Sequence, residues 1–248
     1  MNVVKYLVIF FLATTLLSCK VWHISQSQVV NEEMDSTYDS GSSDQVTELI
    51  KPFKDSLSAS MGEILGKVEG ELKKARPEGT LGNWVADALQ YSATKLYPEP
   101  IAFALQNYGG IRVPYLPKGE ITVSNIYELM PFDNTILIVK ATGVQLKKYF
   151  DIWASEGSHP ISKGISYEMR DNKAYNILIH QKPIQEDAMY NFALPDYVFN
   201  VSKHHFTKIE SHNTGYLARD AFIEYAKYQQ EKFGKISAKL EGRITKKD

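Results

Sequence analysis

One cysteine stands among the 248 residues, Cys19, so no internal disulfide framework is available to this chain in any compartment. Neither sign of charge dominates. The 28 basic and 29 acidic residues leave a formal net charge of -1, which gives no electrostatic footprint for a nucleic-acid polymer or an anionic membrane surface. Any anion site must therefore be local. Several catalytic signatures are missing: there is no Ser-His-Asp order with a nucleophile elbow, no Cys-His pair and no phosphate loop of Walker type. Histidine is scarce, six in all, and His204, His205 and His212 are the only close group. Adjacent histidines point apart on a strand, and no carboxylate joins these at a ligand spacing, which reads as a surface loop rather than a metal site.

Long apolar runs are also wanting. The one at the start, residues 6–17, is too short for a comfortable membrane span and has the length of a signal-peptide core behind the basic Lys5. Leu16-Leu17-Ser18-Cys19 then resembles the bacterial lipobox, which implies a lipoprotein signal over residues 1–19 and a lipidated Cys19 anchoring an exported chain in the bacterial cell envelope. An ordinary signal peptide with an incidental cysteine is the alternative. Residues 20–45 are polar, acidic and without apolar period towards their end, and read as a flexible tether. With 44% hydrophobic and 12% aromatic residues, the chain beyond the tether can bury a sizeable core. One folded domain is expected over residues 46–244, with residues 245–248 as a charged tail.

Val46, Leu49, Ile50, Phe53, Leu57, Met61, Ile64 and Leu65 recur at three- and four-residue steps, which predicts an amphipathic helix with one face inward and Asp44 as its N-cap. A second helix starts near Thr80 and ends before Pro98, with Trp84, Ala88 and Leu89 on one face. Residues 101–106 read as a buried strand. Residues 114–120 read as a turn-rich connection, followed by a short helix capped by Thr122 or Ser124. Residues 135–140 are strongly strand-like and precede a helical pattern through Leu146, Tyr149, Phe150 and Trp153. Strand-like runs follow at residues 165–170, 175–180 and 190–194. A last helix over residues 217–232 and a short strand at residues 235–238 complete the pattern, an α+β arrangement rather than a regular βαβ alternation.

The strand at residues 101–106 leads into Asn107-Tyr108-Gly109-Gly110-Ile111-Arg112. Two adjacent glycines let backbone turn sharply beside a bound group, while the arginine offers a planar fork of donors and the asparagine can both donate and accept. Taken alone, the hexapeptide reads equally as a turn with a solvated arginine.

Its neighbours add a resemblance. Thr80-Leu81-Gly82-Asn83 with Ala86-Asp87-Ala88 resembles an N-x-G-N-x-x-x-D-A helix start, and residues 107–112 resemble an N-x-G-G-I-R loop. Residues 117–122 (PKGEIT), 129–134 (LMPFDN), Thr142-Gly143 with Leu146, 160–165 (PISKGI) and 194–200 (LPDYVFN) supply five further landmarks in the same order. The family they resemble is the C-terminal domain of bacterial and animal 5'-nucleotidases and UDP-sugar hydrolases. The resemblance implies a layered α/β/β/α fold with mixed sheets. It also implies a nucleotide or nucleoside ligand whose base lies between two aromatic rings, here Phe132 and Tyr197. Asn107 would hydrogen-bond the base, Arg112 would contact ribose or a phosphate oxygen, and Arg76 stands near where the family supplies another arginine. From the residues alone, Phe132 and Tyr197 can equally be core aromatics, and Arg76 a solvated charge beside Lys73 and Lys74.

The chain departs from the family after Asn200. Gly-Gly-Asp-Gly, whose aspartate binds the ribose hydroxyls, is replaced by Val201-Ser202-Lys203-His204-His205-Phe206, with Lys203 where the carboxylate would stand. The family's metal-binding segments, Asp-x-His and Gly-Asn-His-Glu, occur nowhere in the chain. The expectation is therefore the substrate-binding half of a 5'-nucleotidase-type phosphohydrolase in nucleotide catabolism. It would have no catalytic residue, cofactor or metal site of its own and would act with a separate metallophosphoesterase chain that carries divalent metals. The alternative is a non-catalytic ligand-binding or scaffolding lipoprotein that kept the fold and changed its ligand.

Overall fold

A computed structural model of the chain describes residues 43–202 and 209–247. Cys19, the apolar run before it and most of the tether lie outside the described residues, as do Lys203, His204 and His205. The chain divides between Lys51 and Pro52, inside its first helix, and the layered architecture belongs to the unit from Pro52 onward.

Helix α1 spans Ser43–Met61, so Asp44 lies in its first turn rather than capping it. Its apolar stripe is exposed: Val46, Leu49, Ile50, Phe53 and Leu57 retain between 48% and 75% of their accessible surface. The inward face expected from the periodicity is thus corrected. A 3.6-residue period shows that one side is apolar, and says nothing about what covers it. Gly62 accepts the end of the helix, its N–H reaching the Ser58 carbonyl, and Ile64 and Leu65 belong instead to strand β1, Ile64–Val68.

Strand β2 (Leu72–Lys73) leads to α2 (Thr80–Leu96), which buries Leu81, Trp84, Val85, Ala88 and Leu89 on one face. Strand β3 is only Phe103–Ala104, although Leu105 and Gln106 beyond it are also fully buried. A 3₁₀ turn at Tyr108–Gly110 follows. The connection expected after it contains two short strands, β4 (Tyr115–Leu116) and β5 (Gly119–Thr122). Thr122, not Ser124, caps α3 (Val123–Leu129), with Asn125 completing a capping box. Strand β6 (Thr135–Thr142) runs into α4 (Gly143–Ser155) through a second capping box, in which Thr142 pairs with Gln145. Strands β7 (Ile165–Arg170), β8 (Lys173–Ile179), β9 (Lys182–Pro183) and β10 (Met189–Pro195) come next, then α5 (Asp196–Val201), β11 (Glu210–Leu217), α6 (Ala218–Phe233) and β12 (Ile244–Lys246).

The main sheet has the order β11-β6-β10-β3, with β10 parallel to β3 and the other pairs antiparallel. The second sheet is β12-β7-β8-β9, with β12 parallel to β7. Both sheets are mixed, and the class is α+β as expected. Strand β6 explains the layering. Ile136 and Ile138 face a core shared with α2, α3 and α6, whereas Leu137, Val139 and Ala141 face a second core shared with α4 and the second sheet. A strand buried on both faces reads as a near-continuous apolar run, which is why TILIVK is so legible. Two expectations fail at the C-terminus. Residues 235–238 form one isolated bridge, Ile236 to Val68, rather than a strand, and the tail read as charged enters the second sheet through β12.

Candidate functional site

The turn at Tyr108–Gly110 stands at one wall of a half-open pocket of about 260 Å³ lined by Asn107, Gly109, Gly110, Arg112, Phe132, Asn134 and Tyr197. Four of the five binding residues expected from sequence meet there. The volume is near the lower end of small-molecule sites, roughly 300–1,000 Å³. Phe132 and Tyr197 are 40% and 53% exposed, too open for the core aromatics they could have been.

Buried polar contacts set each wall. Gln106, fully buried at the end of the strand, donates from Nε2 to Asn107 Oδ1 at 2.8 Å. That pair occupies the space beside Gly110, where a Cβ would come within 2.2 Å of Gln106 Nε2 and 2.6 Å of Asn107 Oδ1. Gly110→Ala is therefore expected to push Asn107 out of position and weaken ligand binding about tenfold, with about 1 to 3 kcal/mol lost from stability by overpacking; calorimetry and chemical denaturation measure the two effects. Arg112 donates from its backbone to the Leu129 carbonyl at 2.9 Å, and its guanidinium lies 5.7 Å from the Phe132 ring centre. Arg219, buried in α6, holds the segment that carries Phe132: its fork donates to the Phe132 carbonyl at 3.2 Å and to Asp133 at 2.6 Å. On the other wall, Asp196 at the start of α5 accepts from Thr135 N–H at 3.3 Å and Thr135 Oγ1 at 2.9 Å, which ties Tyr197 to the start of β6.

Arg76 does not line the pocket. Its guanidinium donates to the Glu156 carbonyl at the end of α4 and sits 4.2 Å from the centre of the Tyr108 ring, on the backbone next to Asn107. Lys74, which sequence reasoning passed over, joins it there, with Nζ 4.2 Å from the same ring and donating to the Ile111 carbonyl at 2.7 Å. Burial, then Arg112 and Arg76, lower the Lys74 ammonium below its ordinary value. Among the described residues none of these three cations has a carboxylate partner, which leaves the loop's flank positive. The only sequence signal for Lys74 was its place in a short basic run.

The helix-start motif has a different role. Gly82 leaves room for Pro160, whose Cγ would lie 2.9 Å from an added Cβ. Asn83 donates to Glu78 Oε1 at 2.7 Å and to the Lys239 carbonyl at 2.8 Å. Asp87 accepts two bonds from Arg243 at 2.7 and 2.8 Å and one from Lys163 N–H at 2.7 Å. These residues tie the C-terminal segment and the strand entry at Pro160 to α2, and none of them lines the pocket. Among the described residues no three His, Cys, Asp or Glu side chains are grouped to hold a metal, so no donor set there fits the divalent ions the resemblance implies. No helix among them is long and apolar enough to cross a membrane.

Fold and pocket together define a class: a layered α+β domain with a pocket lined by two exposed aromatic residues, a Gly-Gly turn and a cationic flank. The chain belongs to the 5'-nucleotidase C-terminal domain family, whose profile matches residues 64–211. Among curated proteins it is 29% identical over 192 residues to a 5'-nucleotidase of Vibrio cholerae, covering 72% of this chain and 33% of that protein. It is 30% identical over 216 residues to the trifunctional nucleotide phosphoesterase protein YfkN of Bacillus subtilis, covering 77% of this chain and 14% of that one. The crystal structure of a 5'-nucleotidase precursor from Thermus thermophilus shares the fold with a TM-score of 0.68 at 22% identity, over 82% of this chain and 43% of that chain. The chain spans about a third of the length of the first curated relatives it matches.

Proposed function

We propose that this chain is the substrate-binding half of a 5'-nucleotidase-type phosphohydrolase: it holds a nucleotide or nucleoside, and a separate metallophosphoesterase chain supplies the divalent metals that activate water. The observation that carries this reading is the meeting of Asn107, Arg112, Phe132 and Tyr197 around one pocket in a member of the family. Phe132 and Tyr197 stack the base between them, Asn107 hydrogen-bonds its edge, and Arg112 reaches ribose or phosphate. The positive flank of Lys74 and Arg76 favours a phosphorylated ligand over the bare nucleoside. The apolar stripe left exposed on α1 supports the presence of a partner chain, since contiguous apolar surface is seldom left in water. In this reading Cys19 is lipidated, and the residues from 20 up to the start of α1 at Ser43 tether the domain to the cell envelope from which the pair acts.

Calorimetry with adenosine, AMP and UDP-glucose tests the pocket. AMP should bind more tightly than adenosine, and Arg112→Ala should erase about tenfold of affinity, with the larger loss on AMP. Absence of binding by all three compounds would sink the nucleotide reading. Mixing with a candidate catalytic chain should yield a stable complex or raise nucleotide hydrolysis, and intact mass of the membrane-extracted protein should show a modified Cys19.

A second reading, a binding or scaffolding lipoprotein with another ligand, is favoured by Lys203 in place of the family's ribose-binding aspartate. Tighter binding of a more anionic compound than of AMP would select it.

A further inference from the structure

We propose that His159 is the positioning residue of the ligand loop, holding the turn that carries Asn107 and Arg112 only while its imidazole is neutral. This inference rests on the nucleotide reading of the pocket for its functional consequence, but not for its structural one.

The geometry assigns both ring nitrogens. Tyr108 N–H, inside the 3₁₀ turn, donates to His159 Nδ1 at 3.2 Å, so that nitrogen carries a lone pair. Nε2 stands 2.6 Å from Glu156 Oε2, so the ring's single proton resides there and points at the carboxylate. The side chain is only 11% exposed, and the turn is also tied by Gln106 at Asn107 Oδ1, by the Arg112 guanidinium at the Gly109 carbonyl and by Lys74 and Arg76 at the Tyr108 ring. Within it the backbone bonds are Gly110 N–H to the Asn107 carbonyl at 3.0 Å and Ile111 N–H to the Tyr108 carbonyl at 3.3 Å. Of the described contacts that reach residues 107–110 from the end of α4, the His159 bond is the one to the backbone.

Protonation places a second N–H against Tyr108 N–H, two donors facing each other with no acceptor between them, and the bond is lost. The charged groups facing the ring are Glu156, which favours the imidazolium, and Arg76, held at the Glu156 carbonyl, which opposes it. Tyr108 presents its backbone N–H, and Lys74 stands against the Tyr108 ring, with Nζ 4.2 Å from its centre. Burial, the largest influence, lowers the histidine below its ordinary value. The neutral form that supports the loop therefore prevails at neutral pH and is lost as pH falls through that lowered value.

Two substitutions separate the nitrogens. His159→Asn keeps an acceptor near the Nδ1 position and cannot titrate; His159→Gln keeps a donor near Nε2 and removes the acceptor. The experiment follows the protection factor of the Tyr108 amide by NMR hydrogen exchange and the affinity for AMP by calorimetry, from about pH 5 to 8. In the wild type both should fall together by roughly five- to tenfold, the size of one lost hydrogen bond, with the midpoint of the His159 ring titration. His159→Asn should hold both near the neutral-pH value across the range, and His159→Gln should be weak and flat. Tyr108 protection that stays constant while the His159 ring titrates overturns the proposal, and so does a His159→Gln variant that keeps the wild-type profile. If AMP fails to bind at any pH, the nucleotide reading falls while Tyr108 protection still decides the role of His159.

Discussion

Replacing Phe132 and Tyr197 together with alanine should weaken AMP binding by about thirtyfold or more while leaving the fold and its melting temperature nearly unchanged. Stacking of a base on an aromatic ring contributes about 1 to 3 kcal/mol by alanine substitution, so two rings at the low end give about 2 kcal/mol, which corresponds to about thirtyfold in affinity. The fold should tolerate the change because both residues stand at the surface, 40% and 53% exposed, and surface substitutions shift stability by about 0.5 kcal/mol or less. The single variants add information. If one base lies between both rings, removing either lets it tilt away from the other, and the two single losses will not sum to the double loss. Adenosine and AMP binding that survives the double variant at wild-type affinity would show that the base, if bound, rests elsewhere.

Arg243→Met carries the largest expected effect on stability, a loss of about 3 to 5 kcal/mol in urea unfolding. Arg243 is 4% exposed and closes a dense network. Its fork grips Asp87 twice, it meets Glu241 at 2.7 Å, and it donates to the Ile161 carbonyl at 2.9 Å. Removing it leaves the Asp87 carboxylate inside the protein with only Lys163 N–H as a described partner, the costly case for a buried pair. The segment before β12 keeps its backbone ties to Glu78, from Glu241 N–H at 2.9 Å and Arg243 N–H at 3.1 Å, so the loss is that of the side-chain network. The double variant Asp87→Leu with Arg243→Met should recover much of the loss, because exchanging a whole buried pair for apolar groups is often neutral. A single variant as stable as wild type would mean that the network contributes nothing beyond its packing.

The legible parts of this fold share one property: their partners do not have to be known. Strand β6 and helices α2, α4 and α6 are written in apolar periods, and the Thr122 and Thr142 caps are local exchanges across three residues. Strand β11, ESHNTGYL, escapes notice although it is eight residues long, because an edge strand bonded on one side needs no apolar alternation; its position is decided by β6 beside it. Strand β12 escapes for the same reason, since three residues, two of them exposed, carry no period of their own and pair with β7 at the edge of the second sheet. The exposed stripe on α1 is the reverse case, a strong period with nothing described over it.

For the candidate site, the sequence by itself determined the cast and its order: a Gly-Gly turn after a buried strand, Asn107 and Arg112 on either side, and Phe132 and Tyr197 in the landmarks beyond. Only the tertiary structure decided which of them share a pocket. Residues as distant as Asn107 and Tyr197 meet because β3 and β10 are parallel neighbours in one sheet, which brings the ends of both strands to the same edge. It also moved Arg76 out of the pocket, brought Lys74 and His159 to the loop, and turned the Gly82-Asn83-Asp87 motif into a frame for the C-terminus. The physical reason is the same in each instance. A side chain's role is set by the few atoms within hydrogen-bond reach of it, and for these residues those atoms come from segments tens of positions away in the chain.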